Sequence, residues 1–314
     1  MKFGTLLCCL CLVAIGGCGP SGGANSSPVV AQAWQIGAGG SAQAEALQAL
    51  DFYPNAITIN EGDTITWLDP TTEPHTISIP PAGAMPPPGP PQPPVGGNVF
   101  DGAAYVSSGF LPTGVAYSVK FTKAGTYKYY CLIHQPEMSG TIVVQPAGSA
   151  LPKSQGDYSA AGQADLAVDI NASLVSVSAF PYSAGGNHLA AGIAPNLAAG
   201  PPSQGTVMRF LDAPTLGTAP VNLTVAAGAS VTWTNQSNNS PHTVTFPVAG
   251  QTPPPGPPDI PAAGGSSYDG TVFTNSGVMP PGASYTLTFT KAGTYTYYCL
   301  FHAGEGMTGT VTVQ

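Results

Sequence analysis

The chain of 314 residues contains most of its pattern twice. Lys123-Ala124-Gly125-Thr126-Tyr127-Lys128-Tyr129-Tyr130-Cys131-Leu132-Ile133-His134 returns as Lys291-Ala292-Gly293-Thr294-Tyr295-Thr296-Tyr297-Tyr298-Cys299-Leu300-Phe301-His302. Thr64-Ile65-Thr66-Trp67 returns as Ser230-Val231-Thr232-Trp233, and Pro74-His75-Thr76 as Pro241-His242-Thr243. Phe100-Asp101-Gly102 returns as Tyr268-Asp269-Gly270, and the run Pro86–Pro91 as Pro253–Pro258. The offset stays between 166 and 169 residues, so only small insertions separate the copies. Self-similarity held over this length means that one fold occurs twice.

Each copy reads as β structure. Ala56-Ile57-Thr58-Ile59 and Thr64-Ile65-Thr66-Trp67 alternate apolar and polar residues on either side of Glu61-Gly62. Tyr117 to Phe121 and Thr126 to Tyr130 do the same around Ala124-Gly125. Gly140-Thr141-Ile142-Val143-Val144 closes the first copy and Gly309-Thr310-Val311-Thr312-Val313 the second. With 40 Gly and 34 Pro as turn formers, short strands at this spacing predict an all-β sandwich or barrel in each copy. The expected domains are 31–146 and 185–314, joined by a linker over 147–184. Within that linker, Asp157, Ala160, Ala161, Ala164, Leu166, Ala167 and Ile170 predict a short helix capped by Ser154, which Gly156, Gly162 and Asn171 weaken. The second copy is expected to open at His188-Leu189-Ala190-Ala191-Gly192, an echo of Trp34-Gln35-Ile36-Gly37-Ala38.

Charged residues are 7% of the chain against a usual ~25%, with seven Lys and Arg and a net charge of −8. No window supplies the basic patch that nucleic-acid binding requires.

The N-terminus reads as an export signal over residues 1–17: Lys2, an apolar run from Phe3 to Ile15, then Gly16-Gly17. The run is short for a membrane-spanning helix. Ile15-Gly16-Gly17-Cys18 resembles the lipobox of bacterial lipoproteins, which implies lipidation of Cys18 and a membrane anchor; an ordinary secretory signal cleaved nearby, leaving no anchor, is the other reading. Residues 18–30, rich in Gly and Ser, then read as a flexible tether. The expected location is the cell envelope, periplasmic or on the outer surface.

Only Cys131 and Cys299 remain in the body of the chain. A disulfide between them is one reading; their matched contexts favour one task done twice. Four of the five histidines also fall in repeated motifs. The first copy offers His75, Cys131, His134 and Met138, and the second offers His242, Cys299, His302 and Met307. Two His and one Cys with a weak axial Met is the donor set of blue copper. Thiolate and thioether suit Cu(I) and imidazole suits both oxidation states, so such a site changes valence with little rearrangement. Zinc takes Cys and His, but structural zinc sites seldom use Met. His188 has no partner motif and reads as a packing or surface residue.

Tyr-x-Tyr-Tyr-Cys-x-x-His followed by Met and Gly-Thr-Val resembles the ligand loop of the cupredoxins of the plastocyanin-like family, and Phe52 to Trp67 resembles their entry strands. The resemblance implies two tandem Greek-key β-sandwich domains, each with a type 1 copper, in one-electron transfer between redox-protein partners. It implies His75, Cys131, His134 and Met138 as ligands of one copper, and His242, Cys299, His302 and Met307 as ligands of the other. It also puts Tyr130 and Tyr298 on a remote electron route, where packing aromatics are an equal reading. Trp67 and Trp233 read as core, and the proline-rich runs as stiff covers, with a docking surface for a partner as the second reading.

The copies differ in one respect that bears on potential. Three residues separate His134 from Met138, one of them Pro136, and four separate His302 from Met307, so unequal reduction potentials are expected. Thr76 and Thr243 follow the first His, where Asn is common in the family, so hydrogen bonding around the sulfur is expected to differ. An enzyme such as a multicopper oxidase or nitrite reductase needs further His ligands, and only His188 is left over. A copper carrier or scavenger without a redox role is the alternative, although it usually carries more Met than the six here.

Overall fold

Alternation decides which side of each strand faces inward. In Gly125–Tyr130, Tyr127 and Tyr129 are buried while Thr126 and Lys128 are exposed; in Gly293–Tyr298, Tyr295 and Tyr297 take the same inward positions. The computed structural model describes residues 30–86, 93–134, 137–179, 188–193, 204–212, 216, 220–237, 240–253 and 261–314. The export signal, Cys18, Pro136 and most of both proline-rich runs lie outside the described residues.

Two tandem β-sandwiches lie within the unit Ala31–Gln314. In the first, one sheet runs Leu47–Tyr53, Ala33–Ala42, Thr64–Leu68, Ala116–Phe121, Val99–Phe100 in spatial order. The facing sheet runs Ala56–Asn60, Ser139–Gln145, Gly125–Tyr130, Ser78–Ile79, Val106–Ser107. The second sandwich repeats both orders, with Phe210–Leu211, His188–Ile193, Ser230–Gln236, Ser284–Phe289 and Ser267–Tyr268 in one sheet. Its other sheet is Val221–Val225, Thr308–Val313, Gly293–Tyr298, Thr245–Phe246 and Thr274–Asn275. Ala33–Ala42 runs parallel to Thr64–Leu68, and Ser139–Gln145 parallel to Ala56–Asn60. Parallel neighbours cannot be joined by a hairpin, so the chain crosses from sheet to sheet as a Greek key does.

Each sandwich is filled by aromatics. Trp67 meets Tyr129 edge-on at 5.4 Å and Trp233 meets Tyr297 at 5.2 Å, all four fully buried. Burying a side chain of that size removes about 150–250 Å² from water, roughly 4–6 kcal/mol by area before entropy is charged against it. Phe52 and Phe210 occupy matching places, each 4.6 Å from its copy's inner Tyr. Their offset is 158 residues, so the second copy carries an insertion between Phe210 and Val221. His188–Ile193 does open the second copy, paired parallel to Ser230–Gln236; its register sets Leu189 against Trp233, as Ile36 is set against Trp67. The echo is therefore shifted by one residue from the expected alignment.

The linker helix, Gln155–Ala179, is 25 residues long, well beyond the short helix expected. Ser154 Oγ accepts the Asp157 N–H at 3.2 Å, and Asp157 Oδ2 accepts the Ser154 N–H at 2.8 Å, a reciprocal cap. Tyr158 stands edge-on to Trp34 at 5.9 Å, and its hydroxyl oxygen accepts the Thr58 N–H at 2.9 Å. A Cβ on Gly162 would come within 2.8 Å of the Tyr53 and Pro54 backbone. The residue that weakens the isolated helix is the one that lets it dock on the first sandwich, and docking supplies the stability.

Gly205–Val207, from the second half of the chain, pairs antiparallel with Leu47–Tyr53 and extends the first copy's sheet to six strands. Leu47, Val177, Val207 and Leu211 form a third core there, uniting helix, first copy and second copy. No helix among the described residues is long and apolar enough to cross a membrane.

Candidate metal centres

The donors arrive from segments pinned by main-chain bonds. His75 O accepts the Leu111 N–H at 2.8 Å, and His242 O accepts the Met279 N–H at 2.8 Å. These bridges hold each histidine just ahead of the strands Ser78–Ile79 and Thr245–Phe246. Cys131 leaves the strand Gly125–Tyr130 and donates its N–H to Met138 O at 3.0 Å, while Met138 N–H reaches His134 O at 3.0 Å. The second loop closes identically, from Cys299 N–H to Met307 O at 3.1 Å and from Met307 N–H to His302 O at 3.0 Å. The second loop, one residue longer, carries Gly306 at a φ of 86°.

The threonines tie one ligand segment to the other. Thr76 Oγ1 accepts the Leu132 N–H at 2.7 Å and Thr243 Oγ1 accepts the Leu300 N–H at 2.8 Å. In the second copy the Thr243 N–H also donates to Cys299 Sγ at 3.4 Å. A donor to the sulfur draws charge from it and tunes whatever it ligates.

The result is two matched clusters. Cys131 Sγ lies 3.5 Å from His134 Nδ1 and 3.9 Å from His75 Nδ1. Cys299 Sγ lies 3.3 Å from His302 Nδ1 and 3.7 Å from His242 Nδ1, and the two Nδ1 atoms stand 3.1 Å apart. Among the described residues these are the two groups whose donor atoms all fall within 4.8 Å of one another. Both cysteines are free, so the disulfide reading is excluded. None of the six side chains exceeds 2% exposure. Met138 and Met307 are fully buried, each in the apolar cluster that contains its own copy's cysteine. One thiolate sulfur and two imidazole nitrogens aimed at a common point fit copper, with one site per copy.

Electrostatics favour the thiolate. Burial opposes charge on Cys131, but His134 and His75 outweigh it and hold the thiol well below its usual range; His302 and His242 do the same for Cys299. Burial likewise opposes charge on His134, yet the Cys131 sulfur and the Glu73 carboxylate push it up to about 10. His302 is raised for the same reasons, by Cys299 and Glu73. His242 is lowered, chiefly by burial.

Glu73 belongs to no repeated motif, yet it stands against both clusters. It is 3% exposed, and its carboxylate faces both sites at once. His134 Nε2 donates to Oε1 at 2.9 Å, and His302 Nε2 stands 3.3 Å from Oε2. The second contact is off-line, an ion pair more than a directed hydrogen bond. The repeat held the clue: Ser240 occupies the equivalent place in the second copy, so an acid stands in one copy only.

Tyr130 and Tyr298 sit half-buried on the strand face opposite the cysteines, and the Tyr130 hydroxyl donates to Met85 Sδ at 3.6 Å. His188 lies on the opening strand of the second copy.

Copper binding proteins of the plastocyanin/azurin family match this chain over residues 40–145 and 211–314, once per sandwich. The chain belongs to that family. A plastocyanin from Scenedesmus fuscus is 35% identical over 110 residues, covering 35% of this chain and 98% of its own length. Plastocyanin B'/B'' of Nicotiana tabacum is 35% identical over 99 residues, covering 32% of this chain and 89% of its own. Among solved structures, a mutant amicyanin in its Cu(I) form is 24% identical, with a TM-score of 0.26, over 36% of this chain and 82% of that one.

Within this cupredoxin chain, Gly39 shapes the first site directly. Its φ is +76°, and an added Cβ would meet His75 Nε2 at 2.3 Å. Gly39→Ala is expected to displace the His75 ring and weaken copper binding in the first copy by at least about tenfold, the scale of 1.4 kcal/mol. Copper titration of the variant checks this, and the second site should titrate as in the wild type.

Proposed function

We propose that this protein is an electron carrier with two type 1 copper centres, exported to the cell envelope and anchored there through lipid on Cys18. The observation that carries the reading is the pair of buried Cys-His-His clusters, each with both Nδ1 atoms turned to the sulfur. His75, Cys131, His134 and Met138 would hold one ion, and His242, Cys299, His302 and Met307 the other. Bound copper supplies one-electron chemistry between Cu(I) and Cu(II).

The chain's residues supply the rest. Main-chain bonds at both ends of each loop keep the donors in place, so a change of valence demands little movement of protein. Burial keeps water from the sites. The Nε2 edges of His134 and His302 are turned to Glu73 and not to solvent. Exchange with an outside redox partner therefore needs another way in, and the half-buried Tyr130 and Tyr298, one residue from each cysteine, are the proposed routes. We read the chain as a carrier and not an enzyme, since the donors of both clusters are enclosed and none is offered to a substrate.

Visible absorption with copper quantification tests the reading. Two coppers per chain and an intense thiolate-to-copper band are expected; a colourless protein with loosely held metal supports the carrier-without-redox alternative. Potentiometry of the same sample is expected to give two different reduction potentials. The loop lengths differ, and the second sulfur accepts a main-chain N–H from Thr243.

A further inference from the structure

We propose that Glu73 joins the two metal centres into one unit, positioning both C-terminal imidazoles and carrying electron exchange between the centres inside a single chain. The inference rests on the two-copper reading above. Four observations support it.

First, the Nε2 edges of His134 and His302 both end on one carboxylate, at 2.9 and 3.3 Å. The path from one cluster to the other is then covalent except for those two contacts. Second, these imidazoles are 2% and 1% exposed, so their outer edges meet no solvent-borne partner; they face one another across Glu73. Third, the bridge is single by construction. His75 and His242 are repeat equivalents, and so are Glu73 and Ser240, whose hydroxyl points to Met208 Sδ at 3.9 Å. A further acid at the Ser240 position would add repulsion where buried Glu305 already acts electrostatically on Glu73 and His302, whereas the Glu73 carboxylate between two cationic sites offsets their mutual repulsion. Fourth, the segment carrying Glu73 is braced. Asp69 Oδ1 accepts the Thr71 N–H at 2.9 Å, Thr71 Oγ1 donates to Glu73 O at 3.1 Å, and Thr72 Oγ1 donates to Glu45 Oε2 at 3.2 Å. Arg209, the chain's single arginine, donates to Ala44 O at 2.9 Å and lies along Gly306, pinning the second ligand loop to the first copy.

One electron leaves the reduced centre, which is oxidised, and reaches the oxidised centre, which is reduced. No atom moves, and Glu73 keeps its bonds and its charge. Coupling of this kind is reciprocal, so the oxidation state of either site shifts the potential of the other.

The test compares the copper-loaded mature chain with Glu73→Gln, which removes the charge at nearly constant shape, and Glu73→Leu, which removes both contacts. In half-reduced wild-type samples, nuclear magnetic resonance lines of the two sites should average through an exchange process that persists on dilution. Glu73→Leu should slow that process at least tenfold and raise both potentials, because an anion beside each site favours the oxidised ion. Glu73→Gln should raise the potentials while keeping more of the exchange rate. An independent readout uses the Cu(I)-loaded chain: a slowly exchanging His134 imidazole N–H signal in the wild type, lost in Glu73→Leu. Variants that bind two coppers with unchanged potentials and an exchange rate within twofold overturn the proposal and leave the carrier reading intact. A wild-type chain that takes up no copper removes both.

Discussion

Cys131→Ala is expected to leave one copper per chain and about half of the thiolate absorbance, and Cys299→Ala to do the same from the other side. The reason is the separation of the donor sets: every atom of the first cluster comes from residues 75–138, every atom of the second from residues 242–307. The two groups share no residue, so removing one thiolate leaves three intact donors and their clamps elsewhere. The double variant should be colourless. Copper quantification alongside the spectrum checks it, and loss of both ions from either single variant would mean one shared site in place of two. The remaining ion should still stabilise the fold, since the donors converge only in the native state. At free copper one hundred times Kd, one site contributes about 2.7 kcal/mol.

Copper uptake at pH 7 is expected to release protons, one of them from His134. That imidazole is pushed up to about 10 in the metal-free chain, so it carries a proton on both nitrogens at neutral pH. Glu73 keeps the Nε2 proton by hydrogen bond, and the Nδ1 proton, which faces Cys131, must leave for metal to bind. Affinity at the first site should therefore rise about tenfold per pH unit and level off above pH 10, where that proton is already gone. His302 is raised in the same direction, so the second site should follow the same rule. Cys131 and Cys299 are both held low, so neither thiol should add to the count near neutrality. Calorimetry in buffers of different ionisation enthalpy reads the number directly. Uptake with no proton release at pH 7 would show that each cluster already holds a thiolate and unprotonated imidazoles before metal arrives, so that His134 and His302 are not raised.

The duplication, the alternating strands and the six His and Cys side chains that converge in the two clusters were all readable from the chain, because each is a local signal. A strand's inward face follows from a period of two, as with Tyr127 and Tyr129, and the ligand loop is one continuous segment from Cys131 to Met138. The capped start of the helix was equally local, since Ser154 and Asp157 are three residues apart. Its full length was not, because 25 residues of modest propensity hold together only where Tyr158 meets Trp34 and Gly162 meets Pro54. The match of Phe210 to Phe52 was likewise hidden, since an insertion breaks the offset between the copies.

Sequence alone determined that two copper sandwiches exist and which side chains could serve each, since ligand chemistry and strand period are properties of neighbouring residues. Only tertiary structure decided that the sites are joined. Glu73 reads as an ordinary surface acid beside Pro74 until folding brings His302, 229 positions away, onto the far side of its carboxylate. Contacts between distant segments depend on how whole sandwiches close against each other, and no short stretch of residues encodes that.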